Sequence, residues 1–173
     1  MIYIIKTLGT AFMIASGYFF GKSMQQKLKD RHQLLNTMSE AIYYLKTKIC
    51  SEDYPLPEAL KETHYKYFNS KNSVFILTAE KIENKIPAEE AWISSLCEWE
   101  EKVVFTRTHK EVIENAGSLL GLGDVQVQKD NLNKLTEELK KSSEEAFAKL
   151  NKEGPLYIKV GLAITLIIAV VLW

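Results

Sequence analysis

The apolar run over residues 156–173 constrains the fold of this chain most, because only Lys159 interrupts it. A helix that rises about 1.5 Å per residue reaches roughly 27 Å over this length, close to the hydrocarbon thickness of a bilayer. A chain of 173 residues has too little other apolar surface to surround such a helix on every side. The run therefore predicts a transmembrane helix, with Lys159 in its first turn, where a long side chain can reach the headgroups.

A second apolar run covers residues 2–21 and contains a single charge, Lys6. Aromatic side chains lie near both of its ends, where they favour the membrane interface. A cleaved signal peptide is the alternative, but the run has no basic cluster at its start, and its small residues are followed by further aromatic sequence. We therefore expect an amino-terminal transmembrane helix over residues 1–21, a soluble domain over 22–154 and a carboxyl-terminal transmembrane helix over 155–173.

Charge is concentrated in the middle of the chain. All 22 acidic residues lie within residues 22–154, and so do 20 of the 22 basic residues, since only Lys6 and Lys159 lie outside. A near-balanced domain of about 130 residues can form one core, and it lacks the basic excess that nucleic-acid binding requires. Lysine and arginine follow the first apolar run and precede the second. This arrangement predicts that the domain faces the cytoplasm.

The spacing of apolar residues predicts that the middle domain is entirely helical. One long helix should leave the first span and end before Pro55, and further helices should begin at Pro57, Val74, Pro87 and Val125. We expect residues 87–120 to be helical, with a bend concealed near residues 106–108, and Gly154-Pro155 to separate the last soluble helix from the terminal span. The predicted fold is all-α, a cytoplasmic antiparallel bundle of about six helices flanked by an amino-terminal and a carboxyl-terminal transmembrane helix.

Residue types that support catalysis or metal binding occur without the spacing that such sites need. The three histidines are isolated, so no helical di-metal set is present, and we expect each of them at a surface or interface. Adjacent glutamates point about 100° apart on a helix and indicate a solvated face. Cys50 and Cys97 carry no supporting motif and are read as small apolar side chains. The sequence predicts no enzyme, cofactor, metal site or small-molecule substrate.

Two alternatives remain open at this level. One is a membrane-anchored helical bundle whose metal or enzymatic site is scattered in sequence. The other is a bundle secreted after signal cleavage and held by a carboxyl-terminal anchor. Trp92 and Trp99, seven residues apart, fall on the apolar stripe of their helix and are expected in the core. The function that the remaining surface can support is binding to another protein.

Short motifs after the amino-terminal apolar run identify a known family. The motifs, in chain order, are Pro55-Leu56-Pro57-Glu58-Ala59, Ala91-Trp92, Gly117-x-x-Leu120-Gly121-x-x-Asp124 followed by Gln128, and Leu156-Tyr157-x-Lys159-x-Gly161. In this order and over essentially its whole length, the chain resembles the stage III sporulation protein AB family, which are membrane proteins of endospore-forming bacteria.

The resemblance implies a fold and a role. The family's soluble domain is similar to the helical cytoplasmic domains of the platform proteins of type II secretion and type IV pilus machines. The chain would then be a platform in the channel complex between mother cell and forespore, in the outer forespore membrane, with its helical domain in the mother-cell cytoplasm. The implied partners are membrane lipid, other channel-complex proteins and a secretion-type ATPase, stage III sporulation protein AA.

The candidate partner-binding residues lie in motifs at the predicted turns of the bundle. They are Pro55, Leu56, Pro57, Glu58, Gly117, Gly121, Asp124 and Gln128. Each glycine and proline among them also has a purely conformational role in turning or capping the chain.

Overall fold

The computed structural model of the chain describes residues 2–68, 72–100, 106–120 and 125–172. Every regular element in these ranges is a helix, which confirms the all-α prediction. The six helices are α1 (Ile2–Ser51), α2 (Leu56–Tyr67), α3 (Val74–Glu83), α4 (Ala88–Glu100), α5 (Arg107–Leu119) and α6 (Val125–Leu172).

The chain forms two compact units. The first, here the terminal unit, comprises Met1–Gln33 together with Glu144–Trp173, and the second, here the bundle unit, comprises Leu34–Ser143. Helices α1 and α6 contribute residues to both units. Among the described helices, α6 is the one long and apolar enough to cross a membrane, judged by length and composition over Gln126–Val171. The amino-terminal span over residues 1–21 and the three predicted domain boundaries stay predictions.

Helix α1 is continuous from the first apolar run into the bundle unit, as predicted. It ends where the Tyr54 amide donates to the Lys48 carbonyl and Asp53 takes a left-handed backbone conformation with φ of 54°. Pro55 follows in an extended conformation, and α2 begins directly after it. A proline cannot donate the helical hydrogen bond and restricts the residue before it, so the chain turns here.

The predicted break at Gly154-Pro155 is wrong, because α6 continues through Pro155. A proline inside a helix removes one hydrogen bond and costs about 3 kcal/mol. In the terminal unit, α6 packs closely against α1 both before and after Pro155. A Cβ atom on Gly154 would lie 3.2 Å from Gln25 Cγ, and one on Gly161 would overlap the Gly17 carbonyl oxygen. Backbone approach of this kind adds dispersion contacts that offset the loss.

The expectation of a helical segment throughout residues 87–120 is also wrong. Helix α5 begins anew at Arg107, and Thr106 before it has an extended backbone with φ of −85° and ψ of 158°. Threonine at position 106 is β-branched, which disfavours a helix interior, and threonine is common at helix starts.

The bundle unit has one apolar core, and most of the predicted stripes line it. Helices α2 to α5 pack in sequence, each against the next. Trp92 is fully buried and Trp99 is 5% exposed, which confirms their core placement. The buried face of α5 consists of Ile113, Ala116 and Gly117. Other fully buried apolar side chains are Leu35, Met38, Ile42, Leu45, Leu60, Phe75, Leu96, Leu132 and Leu139.

Polar contacts fix the antiparallel register of α1 and α6 in the bundle unit. Ser39 Oγ donates to the Thr136 carbonyl oxygen at 3.2 Å, and Lys46 Nζ donates to Asn133 Oδ1 at 2.7 Å. Lys46 is only 9% exposed, and its ammonium also lies 4.1 Å from the centre of the Tyr43 ring. A shift in register would leave this buried charge without its partners, which is costly.

The expected surface or interface position is wrong for His64, which is 5% exposed. Its Nδ1 lies 2.9 Å from Ser73 Oγ, and that oxygen accepts the Ile76 amide at the start of α3. The Ser73 hydroxyl, hydrogen-bonded to both the His64 ring and the Ile76 amide, thus ties α2 to the amino terminus of α3. Burial lowers the pKa of His64 below its usual value of 6.5, and the nearby Glu80 carboxylate opposes this shift.

Acid should weaken the bundle unit through His64. Because its folded pKa is lowered, the stabilisation is complete above the unfolded pKa of about 6.5 and is lost as pH falls toward the folded value. We expect His64→Gln, whose amide can still hydrogen-bond to Ser73 but does not titrate, to flatten this part of the pH dependence. The measurement is urea unfolding of full-length protein in detergent, followed by tryptophan fluorescence, at about pH 7.5 and about pH 5. Equal pH slopes for variant and wild type would contradict this account.

Candidate partner-binding end of the bundle unit

The candidate residues that the structure describes lie toward one end of the bundle unit. Lys61 of α2 pairs with Glu83 of α3 at 2.5 Å, which sets the start of α2 beside the end of α3. Trp92 near the start of α4 contacts Gly117 near the end of α5. We call this end, formed by the last turns of α1, α3 and α5 and the first turns of α2, α4 and α6, the Pro55 end.

Cys50 lies in the last turn of α1, at the Pro55 end. Its thiol is free and half-buried. Burial raises the pKa of the Cys50 thiol, and the positive charges of Lys129 and Lys46 oppose the rise. The hydrogen bond from Lys46 of α1 to Asn133 of α6 sets the end of α1 beside the start of α6.

The corner over residues 52–58 forms the exposed part of this end. Pro55 and Glu58 are exposed, whereas Leu56 and Pro57 are half-buried. The Pro55 carbonyl accepts the Ala59 amide at 3.0 Å and closes the first turn of α2. The Glu58 carboxylate lies in this first turn, where the helix dipole favours negative charge. The corner thus offers a proline ring and a carboxylate on a fixed backbone.

Lys48 holds the corner in place from the last turn of α1. Its ammonium lies 2.8 Å from Glu52 Oε2 and 3.1 Å from Glu62 Oε2. The same ammonium lies 4.6 Å from the centre of the Tyr54 ring. Hydrogen bonds to Glu52 and then to Glu62 raise the pKa of Lys48 above its usual range. One cation therefore joins α1, the corner and α2, which restricts how residues 52–58 can move.

Gly117 has a packing role in the interior. The Trp92 Nε1–H donates to the Ile113 carbonyl oxygen at 2.8 Å, in a buried contact between α4 and α5. A Cβ atom on Gly117 would lie 2.9 Å from Trp92 Cδ1, closer than real Cβ contacts allow. Trp92 of the Ala91-Trp92 motif therefore packs directly against Gly117 of the next motif.

Gln128 likewise makes its contacts within the chain. It is 8% exposed, and its Nε2 donates to the carbonyls of Leu119 at 3.0 Å and Leu120 at 3.2 Å. These carbonyls end α5 and have no partner within their own helix, so Gln128 caps α5 from α6. Gly121 and Asp124 lie outside the described residues. Partner binding by all eight candidates stays a prediction, and Pro55 and Glu58 are the ones seen exposed.

Negative charge dominates the exposed surface of the Pro55 end. Its exposed carboxylates are Glu52, Asp53, Glu58, Glu83, Glu89, Glu90 and Asp130. Lys85 is exposed there and Lys129 is half-buried, whereas Lys48 and Lys61 are half-buried in ion pairs that engage Glu52 and Glu83. In the described part of the chain no three His, Cys, Asp or Glu side chains form a group that could hold a metal ion. What this surface can do is attract a basic protein surface.

The sequence pattern did not reveal this surface, because its acids come from segments separated by up to about 80 residues along the chain. Helix-by-helix analysis gives each of these acids only as part of a solvated face. Their shared position depends on the antiparallel order of the six helices, which brings alternate connections to the same end.

Comparison with known proteins agrees with the fold and the motifs. Residues 6–173 match the family model described as stage III sporulation protein AB, which confirms the resemblance. A solved structure of a stage III sporulation protein AB is similar, with a TM-score of 0.66 and 19% sequence identity. The similarity covers 70% of this chain and 96% of that chain, and at this identity it shows the fold alone. A search of curated proteins gives no match.

The contact between Trp92 and Gly117 predicts that Gly117→Ala destabilises the protein. Overpacking costs about 1–3 kcal/mol, and the helix propensity of alanine returns about 1 kcal/mol, so we expect a net loss of about 1 kcal/mol. Urea unfolding of full-length protein in detergent, followed by tryptophan fluorescence, measures it. Gly9→Ala is the control, since nothing lies within 4 Å of a Cβ atom at that position. A Gly117→Ala variant as stable as wild type would refute the packing role.

Proposed function

We propose that this chain, which belongs to the stage III sporulation protein AB family, is a membrane-anchored platform that presents its bundle unit to a cytoplasmic secretion-type ATPase. The ATPase is stage III sporulation protein AA, and the setting is the channel complex between mother cell and forespore. The observation that carries the proposal is the exposed, acidic Pro55 end, where a family-like motif reaches the surface on a fixed corner. The role requires no catalysis and no cofactor.

The terminal unit supplies the anchor in this proposal. Large apolar side chains are exposed on both of its helices, among them Phe12 at 71%, Ile167 at 65% and Val170 at 77%. Exposed apolar surface of this density marks a contact with lipid or protein, and lipid solvates it without cost. We therefore propose that α1 crosses the membrane with residues 2–21 and α6 with residues 155–172.

Glycine contacts support pairing of the two spans. A Cβ atom on Gly17 would lie 2.5 Å from Thr165 Cγ2, and one on Gly21 would lie 2.6 Å from the Tyr157 carbonyl oxygen. Small residues permit such backbone approach between membrane helices, where packing drives association. The lysines that flank both spans favour a bundle unit in the cytoplasm, and the family suggests the mother-cell side of the outer forespore membrane.

The Pro55 end supplies the docking surface. Its carboxylates steer a partner with a basic patch, and the rigid corner lowers the entropy lost when that partner docks. A bundle held at both ends of its chain by the membrane can transmit position or force from a motor. The surface calls for a partner whose binding weakens as salt concentration rises.

Charge reversal at the corner tests the proposal. We expect Glu58→Lys to weaken binding of the ATPase by about 1 kcal/mol, a factor of about five in Kd, because a favourable charge becomes repulsive. The measurement is co-purification of the ATPase with full-length protein from detergent-solubilised sporulating cells, with the Kd taken from a titration of the purified proteins.

Glu137→Lys is the matched control, because Glu137 is also exposed but lies in the middle of the bundle part of α6. It should bind like wild type. Both variants must show the helical circular dichroism of wild type. Equal binding by wild type and Glu58→Lys, with the bundle folded, would remove the corner from the interface.

A further inference from the structure

A polar cleft lies between α1 and α6 inside the terminal unit. Its volume is about 380 Å³, within the range of small-ligand sites. The lining residues are Gln25, Gln26, Lys29, Leu150, Asn151 and Pro155. Neither the ATPase-binding surface nor the two proposed spans account for this cleft.

The cleft lies at the level where the apolar runs of α1 and α6 end, and this sets its position relative to the membrane. Gly21, at the end of the first apolar run, packs against Tyr157 and Ile158, at the start of the second. One turn further, Gln25 packs against Gly154. The helix rises only about 10 Å from the first flanking charge, Lys22, to Lys29. Headgroups extend about 5–8 Å beyond each face of the hydrocarbon core, so Gln25 lies at headgroup level, and the long Lys29 side chain can reach back to that level from just beyond it.

Lys29 gives the cleft its charge. It is exposed and lines the cleft as the one charged side chain. Within the described ranges it forms no ion pair, whereas other lysines such as Lys48 and Lys61 do. Gln25 and Asn151 add amide donors, and Gln26 Nε2 is engaged with Asp30 Oδ1 at 2.7 Å. A cation beside amide donors is an arrangement that binds phosphate.

Pro155 adds an acceptor to the same cleft. Because proline has no amide hydrogen, the carbonyl of Asn151, four residues earlier, loses its usual helical donor. Asn151 and Pro155 both line the cleft. A bound molecule that carries both a phosphate and a hydroxyl can therefore pair with Lys29 and donate to the Asn151 carbonyl. The proline that costs α6 a hydrogen bond is thus placed where a ligand can restore it.

We propose that this cleft binds the headgroup of an anionic glycerophospholipid, with the phosphate on Lys29 and a headgroup hydroxyl on the Asn151 carbonyl. The inference rests on the proposed membrane insertion of the terminal unit. Inorganic phosphate shares the charge but lacks acyl chains, for which the adjacent exposed side chains, Leu156 at 50% among them, supply an apolar surface. A lipid therefore gains contacts that free phosphate does not.

The test uses full-length protein in nanodiscs of equal parts phosphatidylglycerol and phosphatidylcholine. Native mass spectrometry after release counts the phosphatidylglycerol that the protein retains. We expect Lys29→Gln to lower this retention about tenfold, because a charge-assisted hydrogen bond is lost. Lys29→Arg should retain the lipid. Lys27→Gln is the matched control, since Lys27 is equally exposed, two residues away and outside the cleft.

Insertion is measured first, as the protein fraction that resists alkaline extraction from the nanodisc membrane. Protein that fails to insert would contradict both the anchor and the lipid site. Inserted protein that retains as much phosphatidylglycerol in Lys29→Gln as in wild type would overturn the lipid site alone. The lipid site is also overturned if Lys27→Gln loses as much lipid as Lys29→Gln, or if inorganic phosphate binds through Lys29 while phosphatidylglycerol is not preferred.

Discussion

The antiparallel pairing of α1 with α6 is the constraint on which the bundle unit depends. Lys46 is the key residue, because its buried ammonium needs a hydrogen-bond acceptor, and Asn133 Oδ1 supplies one at 2.7 Å. With that register set, the end of α1 lies beside the start of α6, and the four intervening helices alternate in direction. The corner at Pro55 and the connection before Gln128 consequently share one end. A surface assembled from such distant segments exists only while this pairing holds.

Local patterns in the sequence predicted the local features of the fold. The buried stripe of α1 and the core positions of Trp92 and Trp99 follow from the 3.6-residue helical period, and the turn at Pro55 follows from proline chemistry. The misread features depend on distant residues. Pro155 is tolerated because α6 packs against glycines and a glutamine of α1. His64 is buried because Ser73, across the α2–α3 connection, supplies its hydrogen bond.

For the candidate site, too, the sequence left a question that only the fold answers. A motif identifies residues that a family shares, but it does not distinguish packing from binding. Gly117 and Gln128 serve the interior, through Trp92 and the final carbonyls of α5, and neither contact partner is identifiable from spacing. Pro55 and Glu58 reach the surface, where the acids of α3, α4 and α6 join them. Exposure and shared charge therefore indicate that Pro55 and Glu58 are the candidates that can bind a partner. Both are properties of the folded chain.

Site-specific photo-crosslinking tests the central claim most directly. A photoreactive phenylalanine analogue replaces Tyr54 in the corner or Tyr65 near the opposite end of α2, two tyrosines that are 39% and 74% exposed. Docking at the Pro55 end predicts crosslinks to the ATPase in sporulating cells from position 54 and none from position 65. Crosslinks from position 65 alone, or none from either position while the two proteins co-purify, would contradict it.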